Sequence, residues 1–258
     1  MVAKLSPLVV IVGETASGKS ALAMEIARLF NGEIICADSR TIYRYMDIGT
    51  AKPTKQNQTE VRHHLIDIIY PDEKYSAKRF KTDALRAIDS ISNRGKLPII
   101  AGGTGLYVDA VIFDYQFSDK GALRSQQNNR HLAQRTSVKK NDIRPNTLMI
   151  GLNINRELLK NRIEDRIENM LKVGLETEVK FLATKYESNL ESLSGIGYKT
   201  MFKYLNKDIT LNEAKVELVK GDKSLAKRQR AWFKKNKNIN WVDNSEQAIF
   251  LVQEFLQD

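Results

Sequence analysis

The chain has 258 residues, of which 42% are hydrophobic and 28% are charged, values typical of a globular protein with a sizeable core. No apolar run approaches the roughly 18 residues of a membrane-spanning helix, and the chain runs into an apolar strand pattern without the features of a signal peptide. Cys36, the single cysteine, lies in an apolar run, which predicts a buried thiol and not a nucleophile. We therefore expect a cytoplasmic protein.

The formal net charge is +10, and the positive charge is concentrated in two segments. Residues 215–237 hold nine Lys or Arg against two Asp or Glu, and residues 119–146 hold seven Lys or Arg against two Asp. The rest of the chain therefore carries a net charge of −2. Two basic segments beside a nearly neutral remainder predict contact with a polyanion, and the alternative is a pair of solvated helix faces.

The first motif is a P-loop with the pattern G-x-x-x-x-G-K-S. It is formed by Gly13, Glu14, Thr15, Ala16, Ser17, Gly18, Lys19 and Ser20. The preceding run Leu8–Val12 predicts a buried parallel strand, and residues 21–30 carry apolar residues at helical spacing. Glycines let several backbone N–H groups point at one anion, and the helix N-terminus adds positive potential. Lys19 suits a terminal phosphate and Ser20 suits Mg²⁺, so the motif predicts a di- or triphosphate site without saying which.

The rest of the chain alternates predicted strands with predicted helices. Further strands are predicted at 33–37, 65–71, 97–101, 147–152 and 240–242. Helices are predicted at 76–94 with Ser76 as the N-cap, at 156–184, 194–205 and 211–233, and from Ser245 onward. This alternation predicts an α/β fold, a P-loop NTPase-like parallel sheet flanked by helices, with a helical C-terminal part.

Two further segments are expected at the same edge of the sheet as the P-loop. Asp38 ends the second predicted strand, and Gly102, Gly103 and Thr104 follow the strand at 97–101. Because ligands bind outside the carboxyl ends of parallel strands, Asp38 is expected beside the P-loop. Its carboxylate could deprotonate a nucleophile or hold Mg²⁺ through water, and a capping role is the alternative. Thr104 could donate a hydrogen bond, although a plain turn is equally compatible with this segment.

Arg162 and Arg166 are four residues apart on a predicted helix and therefore share one face. Paired arginines can clamp a leaving diphosphate. The alternative is that they form ion pairs with Glu164, Asp165 or Glu168 on the helix surface.

His63 and His64 are adjacent on a segment that we expect to be extended, so their side chains point to opposite sides. No Cys or His follows at a spacing typical of a metal site. We therefore expect both to have structural roles.

Several runs of this sequence resemble the tRNA dimethylallyltransferases, also called tRNA isopentenyltransferases. Beyond the P-loop, the matching runs are residues 38–53, 63–68, 75–77, 102–107, 196–199 and 226–229, with Trp232 and Phe233. The match covers roughly residues 1–113 and 148–258. The most specific runs are Asp-Ile-Gly-Thr-Ala-Lys-Pro at 47–53 and Ala-Lys-Arg-Gln at 226–229, because small P-loop kinases do not share them.

The resemblance implies a Mg²⁺-dependent transferase that moves a dimethylallyl group from dimethylallyl diphosphate to the exocyclic amine of an adenosine next to the tRNA anticodon. The P-loop would hold the diphosphate of the donor, not ATP, together with Arg162 and Arg166. The implied catalytic residues are Lys19, Asp38, Thr104 and Arg166. The implied tRNA-binding residues are Asp38, Ser39, Arg40, Thr41, Thr104, Lys199, Lys227, Arg228 and Gln229. Ser20 would be the metal ligand. The expected partners are the anticodon stem-loop and the donor, with no membrane and a monomeric protein.

The sequence departs from the family pattern at three places. Glu14 stands where Pro is usual, which we expect to be tolerated because that position offers only its backbone. Thr41 stands where the family often has a Gln that helps to read the target adenine. Between Phe113 and Thr147, a short polar segment replaces the helical insertion that grips the anticodon stem-loop in longer members. We therefore expect a P-loop catalytic core at 1–113, a reduced basic insertion at 114–146, and the core completion with basic C-terminal helices at 147–258.

Two other functions are compatible with a P-loop. One is a kinase that transfers phosphate from ATP to a small hydroxyl acceptor, with Asp38 as the base. The other is a nucleic-acid-binding protein without enzymatic activity. The Lys227–Arg228 segment and the run at 38–53 favour the transferase, because neither alternative requires them.

Overall fold

The computed structural model describes residues 5–117 and 143–257. In this part of the chain, six parallel strands form one sheet in the order β3-β2-β4-β1-β5-β6. The strands are β1 Leu8–Val12, β2 Gly32–Cys36, β3 His63–His64, β4 Leu97–Gly102, β5 Thr147–Leu152 and β6 Ile239–Val242. The α/β fold with a parallel sheet is therefore confirmed.

Helices flank this sheet on both faces. Those in the first half are α1 Lys19–Leu29, α2 Lys55–Glu60, α3 Ala77–Asn93 and α4 Gly105–Ile112. Those in the second half are α5 Arg156–Lys172, α6 Leu175–Lys185, α7 Ile196–Leu205, α8 Leu211–Phe233 and α9 Ser245–Gln257. The predicted cap of α3 is confirmed, because Ser76 Oγ accepts a hydrogen bond of 3.1 Å from Arg79 N. Among the described residues, no helix has both the length and the apolar character needed to cross a membrane.

Two predicted elements were wrong, one in its position and one in its extent. The strand expected at 65–71 is not formed, because Leu65 (φ +61°) and Asp67 (φ +54°) adopt left-handed conformations that interrupt an extended chain. The strand β3 lies just before this segment, at His63–His64, and within the segment Ile69 forms an isolated bridge with Tyr43. The single helix expected at 156–184 is two helices, because Gly174 adopts φ +111° between them.

The hydrophobic core of residues 5–117 and 143–257 has three parts. Alternate residues of β1 point to opposite faces of the sheet, so Val10 packs with α3 and α4, while Ile11 packs with α1 and α9. The third part joins α5, α6, α7 and α8 to the chain after β2, through residues such as Ile163, Met201 and Ile42. This helical unit lies against the P-loop edge of the sheet through α5 and α8. Most of the predicted insertion at 114–146 lies outside the described residues, and the domain division stays a prediction.

Candidate active site

The P-loop connects β1 to α1 and places Lys19 at the start of that helix. Gly18 adopts φ +101°, a backbone conformation that favours glycine. Lys19 Nζ donates a hydrogen bond of 3.1 Å to the carbonyl of Glu14. Burial lowers the pKa of Lys19 to about 8, although the carboxylate of Asp38 opposes this shift. Lys19 is therefore an ammonium group held inside the loop, where a phosphate would restore its ordinary pKa.

Both predicted arginines of α5 contact the P-loop. Arg162 Nη1 donates to the carbonyl of Ser17 at 3.0 Å, and Arg166 Nη1 donates to Thr15 Oγ1 at 2.7 Å. Arg166 Nη2 also forms an ion pair with Asp222 of α8. The two guanidinium groups therefore lie at the loop, where they can reach an anion that the loop binds.

Two of the three carboxylates that could have paired with these arginines have other partners. Glu164 accepts from Lys223 Nζ at 3.2 Å, and Glu168 accepts from Lys215 Nζ at 2.8 Å. Both lysines belong to α8, so these ion pairs join α5 to α8. These pairs also neutralise part of the positive charge that the sequence places on α8.

Glu14 has a side-chain role that the sequence analysis missed. Its carboxylate is buried, accepts hydrogen bonds from Arg156 Nη1 at 2.9 Å and Nη2 at 3.2 Å, and lies 3.9 Å from Arg230 Nε. The expectation that this position offers only its backbone was therefore wrong. Glu14 ties the P-loop to α5 through Arg156 and to α8 through Arg230, and these cations compensate a carboxylate beside an anion site.

Asp38 follows β2 and reaches the same sheet edge, but not on the neighbouring strand. The strand β4 lies between β1 and β2, so the segment with Thr104 separates Asp38 from the P-loop. Asp38 therefore lies at the expected edge, although the strands that lead to the P-loop and to Asp38 are not neighbours in the sheet. Asp38 still acts electrostatically on Lys19.

Hydrogen bonds connect Asp38 to the Thr104 segment. Asp38 Oδ1 accepts from Arg40 N at 2.8 Å, which is the capping contact considered for this residue. Thr104 Oγ1 accepts from Ser39 N at 3.0 Å, and Thr104 N donates to the carbonyl of Ala37 at 3.1 Å. The Asp38 carboxylate is thus oriented by its own turn, and this turn is fixed to Thr104.

The residues implied in tRNA binding lie in different environments. The Arg40 guanidinium donates to the carbonyls of Glu191 and Ser192 at 2.6 and 2.8 Å. Thr41 is buried, and its Oγ1 has no hydrogen-bond partner within the described part of the chain. The exposed members of the set are Lys199, Lys227 and Arg228. Their contacts with RNA stay a prediction, and their exposure is compatible with it.

Gln229 is buried, in contrast to its neighbours Lys227 and Arg228. Its Oε1 accepts a hydrogen bond of 2.6 Å from the backbone N–H of Thr15. Its Nε2 donates to the carbonyl of Gly103 at 3.0 Å. The two faces of this part of α8 therefore differ, with basic side chains toward solvent and an amide toward the P-loop.

A second carboxylate that the sequence analysis missed organises the loop after Asp38. Glu178 of α6 accepts from the backbone N–H groups of Asp47, Ile48 and Gly49 at 2.8, 2.7 and 2.9 Å. It also accepts from the hydroxyl of Tyr198 at 2.8 Å. A glutamate on a helix gives no sequence signal of such a role, because the same residue is usual on a solvated face. Glu178 therefore connects two of the runs that resemble the family, the one that contains Gly49 and the one that contains Tyr198.

Lys52 fixes the other end of the same loop. Its Nζ is buried and donates to the carbonyl of Tyr43 at 2.7 Å and to the carboxylates of Asp47 and Asp67 at 2.5 Å each. The specific run at 47–53 therefore forms an internal scaffold. It braces the segment between Asp38 and the helical unit.

The two adjacent histidines and the single cysteine make contacts within the fold. His63 contacts the carbonyl of Val61, and His64 contacts the carboxylate of Glu33 at 2.7 Å. Within 5–117 and 143–257, no three His, Cys, Asp or Glu side chains are grouped so as to hold a metal ion. Burial raises the pKa of the Cys36 thiol to about 12, which agrees with the inert thiol expected for it.

The family model described as IPP transferase matches two overlapping segments, 41–140 and 123–236. A tRNA dimethylallyltransferase of Acetivibrio thermocellus is 39% identical over 93% of this chain and 92% of its own length. That alignment spans 289 positions against the 258 residues of the chain, so the relative has residues where this chain has none.

Solved structures of tRNA isopentenylpyrophosphate transferases are also similar to this chain. The tRNA isopentenylpyrophosphate transferase of Bacillus halodurans is 34% identical with a TM-score of 0.82, covering 98% of this chain and 96% of that one. The corresponding Staphylococcus epidermidis enzyme is 32% identical with a TM-score of 0.82, covering 98% and 99%. With the family model spanning most of the sequence, these similarities show that the chain belongs to the IPP transferase family, the tRNA dimethylallyltransferases.

Proposed function

We propose that this chain transfers the dimethylallyl group of dimethylallyl diphosphate to the exocyclic amine of an adenosine next to the anticodon of a tRNA. The observation that carries the proposal is the convergence, at one sheet edge, of the P-loop, the arginines of α5 and the Asp38 carboxylate. The family membership supports it, because the relatives are named for dimethylallyl transfer to tRNA.

The donor side of the site is built to stabilise a leaving diphosphate. As the bond between the allylic carbon and the diphosphate oxygen breaks, negative charge grows on the diphosphate. The cations Lys19, Arg162 and Arg166 surround the loop that would receive it. Ser17 Oγ is buried without a hydrogen-bond partner among the described residues, so it offers a further donor to a phosphate oxygen.

The acceptor side requires a base near an amine whose lone pair is delocalised into the adenine ring. The amine nitrogen forms the new bond to the allylic carbon and becomes cationic, and Asp38 accepts one of its protons. The hydrogen bond from Arg40 N to Asp38 Oδ1 fixes the orientation of this carboxylate. The adenine must leave its stack to enter the site, as bases do in enzymes that modify them.

The residues present fit a Mg²⁺ ion that takes most of its ligands from the substrate. Ser20 is exposed in the first turn of α1, and the described residues hold no carboxylate cluster that would bind a metal alone. Mg²⁺ often keeps water and binds through substrate phosphates. When bound beside Ser20, it would supply positive charge to the diphosphate.

Phosphate transfer from ATP is the alternative activity of this site, and the family membership does not favour it. We further propose that the protein acts as a monomer on cytoplasmic tRNA. Gel filtration with light scattering checks the first point, and cell fractionation checks the second.

The decisive experiment offers the protein tRNA with labelled dimethylallyl diphosphate or with labelled ATP. We expect label from the prenyl donor alone to enter RNA. In the Asp38→Asn variant, the single-turnover rate should fall by roughly 10²–10⁴, the range for a positioned acid–base group. The matched control is Asp208→Asn, which changes an exposed carboxylate before α8 and should keep the wild-type rate. Transfer of labelled phosphate, or a normal rate with Asp38→Asn, would contradict the proposal.

A further inference from the structure

The amide of Gln229 connects two loops that come from different strands. The loop after β1 contributes the N–H of Thr15, which donates to Gln229 Oε1 at 2.6 Å. The loop after β4 contributes the carbonyl of Gly103, which accepts from Gln229 Nε2 at 3.0 Å. A Cβ atom at position 103 would lie 2.1 Å from Nε2, so only glycine there leaves room for this contact.

These two loops serve different halves of the proposed site. Thr15 is part of the P-loop, and its hydroxyl also accepts from Arg166. Gly103 precedes Thr104, whose Oγ1 accepts from Ser39 N next to Asp38. Gln229 is therefore the hydrogen-bonded link between the loop that would hold the leaving diphosphate and the segment that holds the base.

We infer that Gln229 is a positioning residue for group transfer, one that fixes the spacing between the diphosphate loop and the Asp38 segment. This inference rests on the proposed function. Transfer requires the attacking nitrogen within about 3–3.5 Å of the allylic carbon, and a displacement of 1 Å can cost about 10²-fold in rate. The burial of Gln229 and the use of both ends of its amide give it one fixed geometry.

A purely structural anchor on the same face of α8 provides a control. Trp232 Nε1 donates to Asp109 Oδ2 at 3.0 Å, a hydrogen bond that ties α8 to α4 and involves no P-loop residue. Trp232→Phe removes this hydrogen bond and keeps an aromatic ring. Gln229→Met keeps the length of the side chain and removes both hydrogen bonds. The two variants thus separate loss of an anchor of α8 from loss of the link between the two loops.

The first measurement does not depend on activity. Amide exchange of the P-loop peptide, followed by mass spectrometry, reports the bond from Thr15 N to Gln229. We expect faster exchange in Gln229→Met and wild-type exchange in Trp232→Phe. Equal exchange in Gln229→Met and wild type would overturn the inference.

The second measurement separates binding from chemistry. In Gln229→Met, the single-turnover rate at saturating donor and RNA should fall by roughly 10- to 100-fold. The Kd values for inorganic pyrophosphate and for an anticodon stem-loop should stay within about threefold. Trp232→Phe should keep the wild-type rate. An unchanged rate in Gln229→Met, or a loss confined to RNA affinity, would assign Gln229 another role. A wild-type protein without transfer activity would instead contradict the proposed function, and amide exchange would still test the link.

Discussion

The guanidinium of Arg166 donates a hydrogen bond of 2.7 Å from Nη1 to Oγ1 of Thr15, so α5 reaches into the P-loop. Arg166 Nη2 is occupied by Asp222, but its buried Nε has no hydrogen-bond partner among the described residues. A buried donor without an acceptor is costly unless another group accepts from it. A phosphate oxygen in the loop is the acceptor that suits this position.

Arg166→Lys should therefore lower kcat/KM for the donor by roughly 10²–10³, the range for loss of one oriented donor to developing charge. Lysine keeps the charge but cannot reproduce the planar fork that contacts Thr15 and Asp222 together. The control is Lys160→Ala, which changes an exposed cation on the same helix. Steady-state kinetics with a prenyl donor decide the matter, and wild-type kcat/KM in Arg166→Lys would show that this contact is structural.

The exposed cations of α8 should set the salt dependence of RNA binding. Lys227→Ala and Arg228→Ala should each flatten the log–log slope of affinity against salt concentration by roughly 0.7–0.9, because RNA binding releases fewer counterions when a phosphate contact is lost. Lys215→Ala is the matched control, because its Nζ lies 2.8 Å from Glu168. Its slope should match that of the wild type. Binding titrations of an anticodon stem-loop at several salt concentrations measure all three slopes, and unchanged slopes for Lys227→Ala and Arg228→Ala would remove this surface from the interface.

The P-loop could be predicted because its chemistry is local. Glycines, Lys19 and Ser20 occur at fixed spacing between a strand and a helix, so eight consecutive residues suffice to recognise the motif. The position of Asp38 was harder to predict, because strand order depends on long-range pairing. The insertion of β4 between β1 and β2 has no signature within either strand.

The supporting contacts could not be predicted for a different reason. Glu178 and Arg156 are charged residues on helices, where the usual expectation is a solvated side chain. Their partners are the N–H groups of residues 47–49 and the carboxylate of Glu14, more than a hundred residues away in the sequence. Only the folded arrangement of the helical unit against the P-loop brings these groups together. The same holds for Gln229. The family resemblance implies that it binds tRNA, whereas in the structure its side chain accepts a hydrogen bond from the P-loop residue Thr15.

The lowered pKa of Lys19 predicts a limb in the pH profile of the free enzyme. Burial lowers this pKa to about 8, so the ammonium group loses its proton as the pH rises through 8. The neutral amine attracts a diphosphate less, and kcat/KM for the donor should therefore fall above about pH 8. The profile of kcat should stay flat there, because bound diphosphate favours the charged form. Lys19→Ala should lose most activity and also lose this limb, and an unaltered limb in that variant would assign it to another group.

Glu33 should contribute stability that is lost in acid. Burial alone would raise the pKa of this carboxyl, but hydrogen bonds from His64, Lys96 and Arg94 outweigh burial and lower the pKa to about 2. A carboxyl with a lowered folded-state pKa stabilises the protein above its unfolded pKa, near 4.5, and this stability disappears as the pH falls from there toward 2.

Glu33→Gln should accordingly lower the free energy of unfolding at pH 7 by roughly 2 kcal/mol, less than the full pKa shift implies because Arg94 and Lys96 are partly exposed. The difference between variant and wild type should shrink as the pH approaches 2. Glu60→Gln is the control, since its pair with Arg28 lies on the surface and should matter little. Urea unfolding followed by circular dichroism at several pH values measures both variants. A difference for Glu33→Gln that stays constant from pH 7 to pH 3 would show that packing, and not the charge of Glu33, stabilises this end of the sheet.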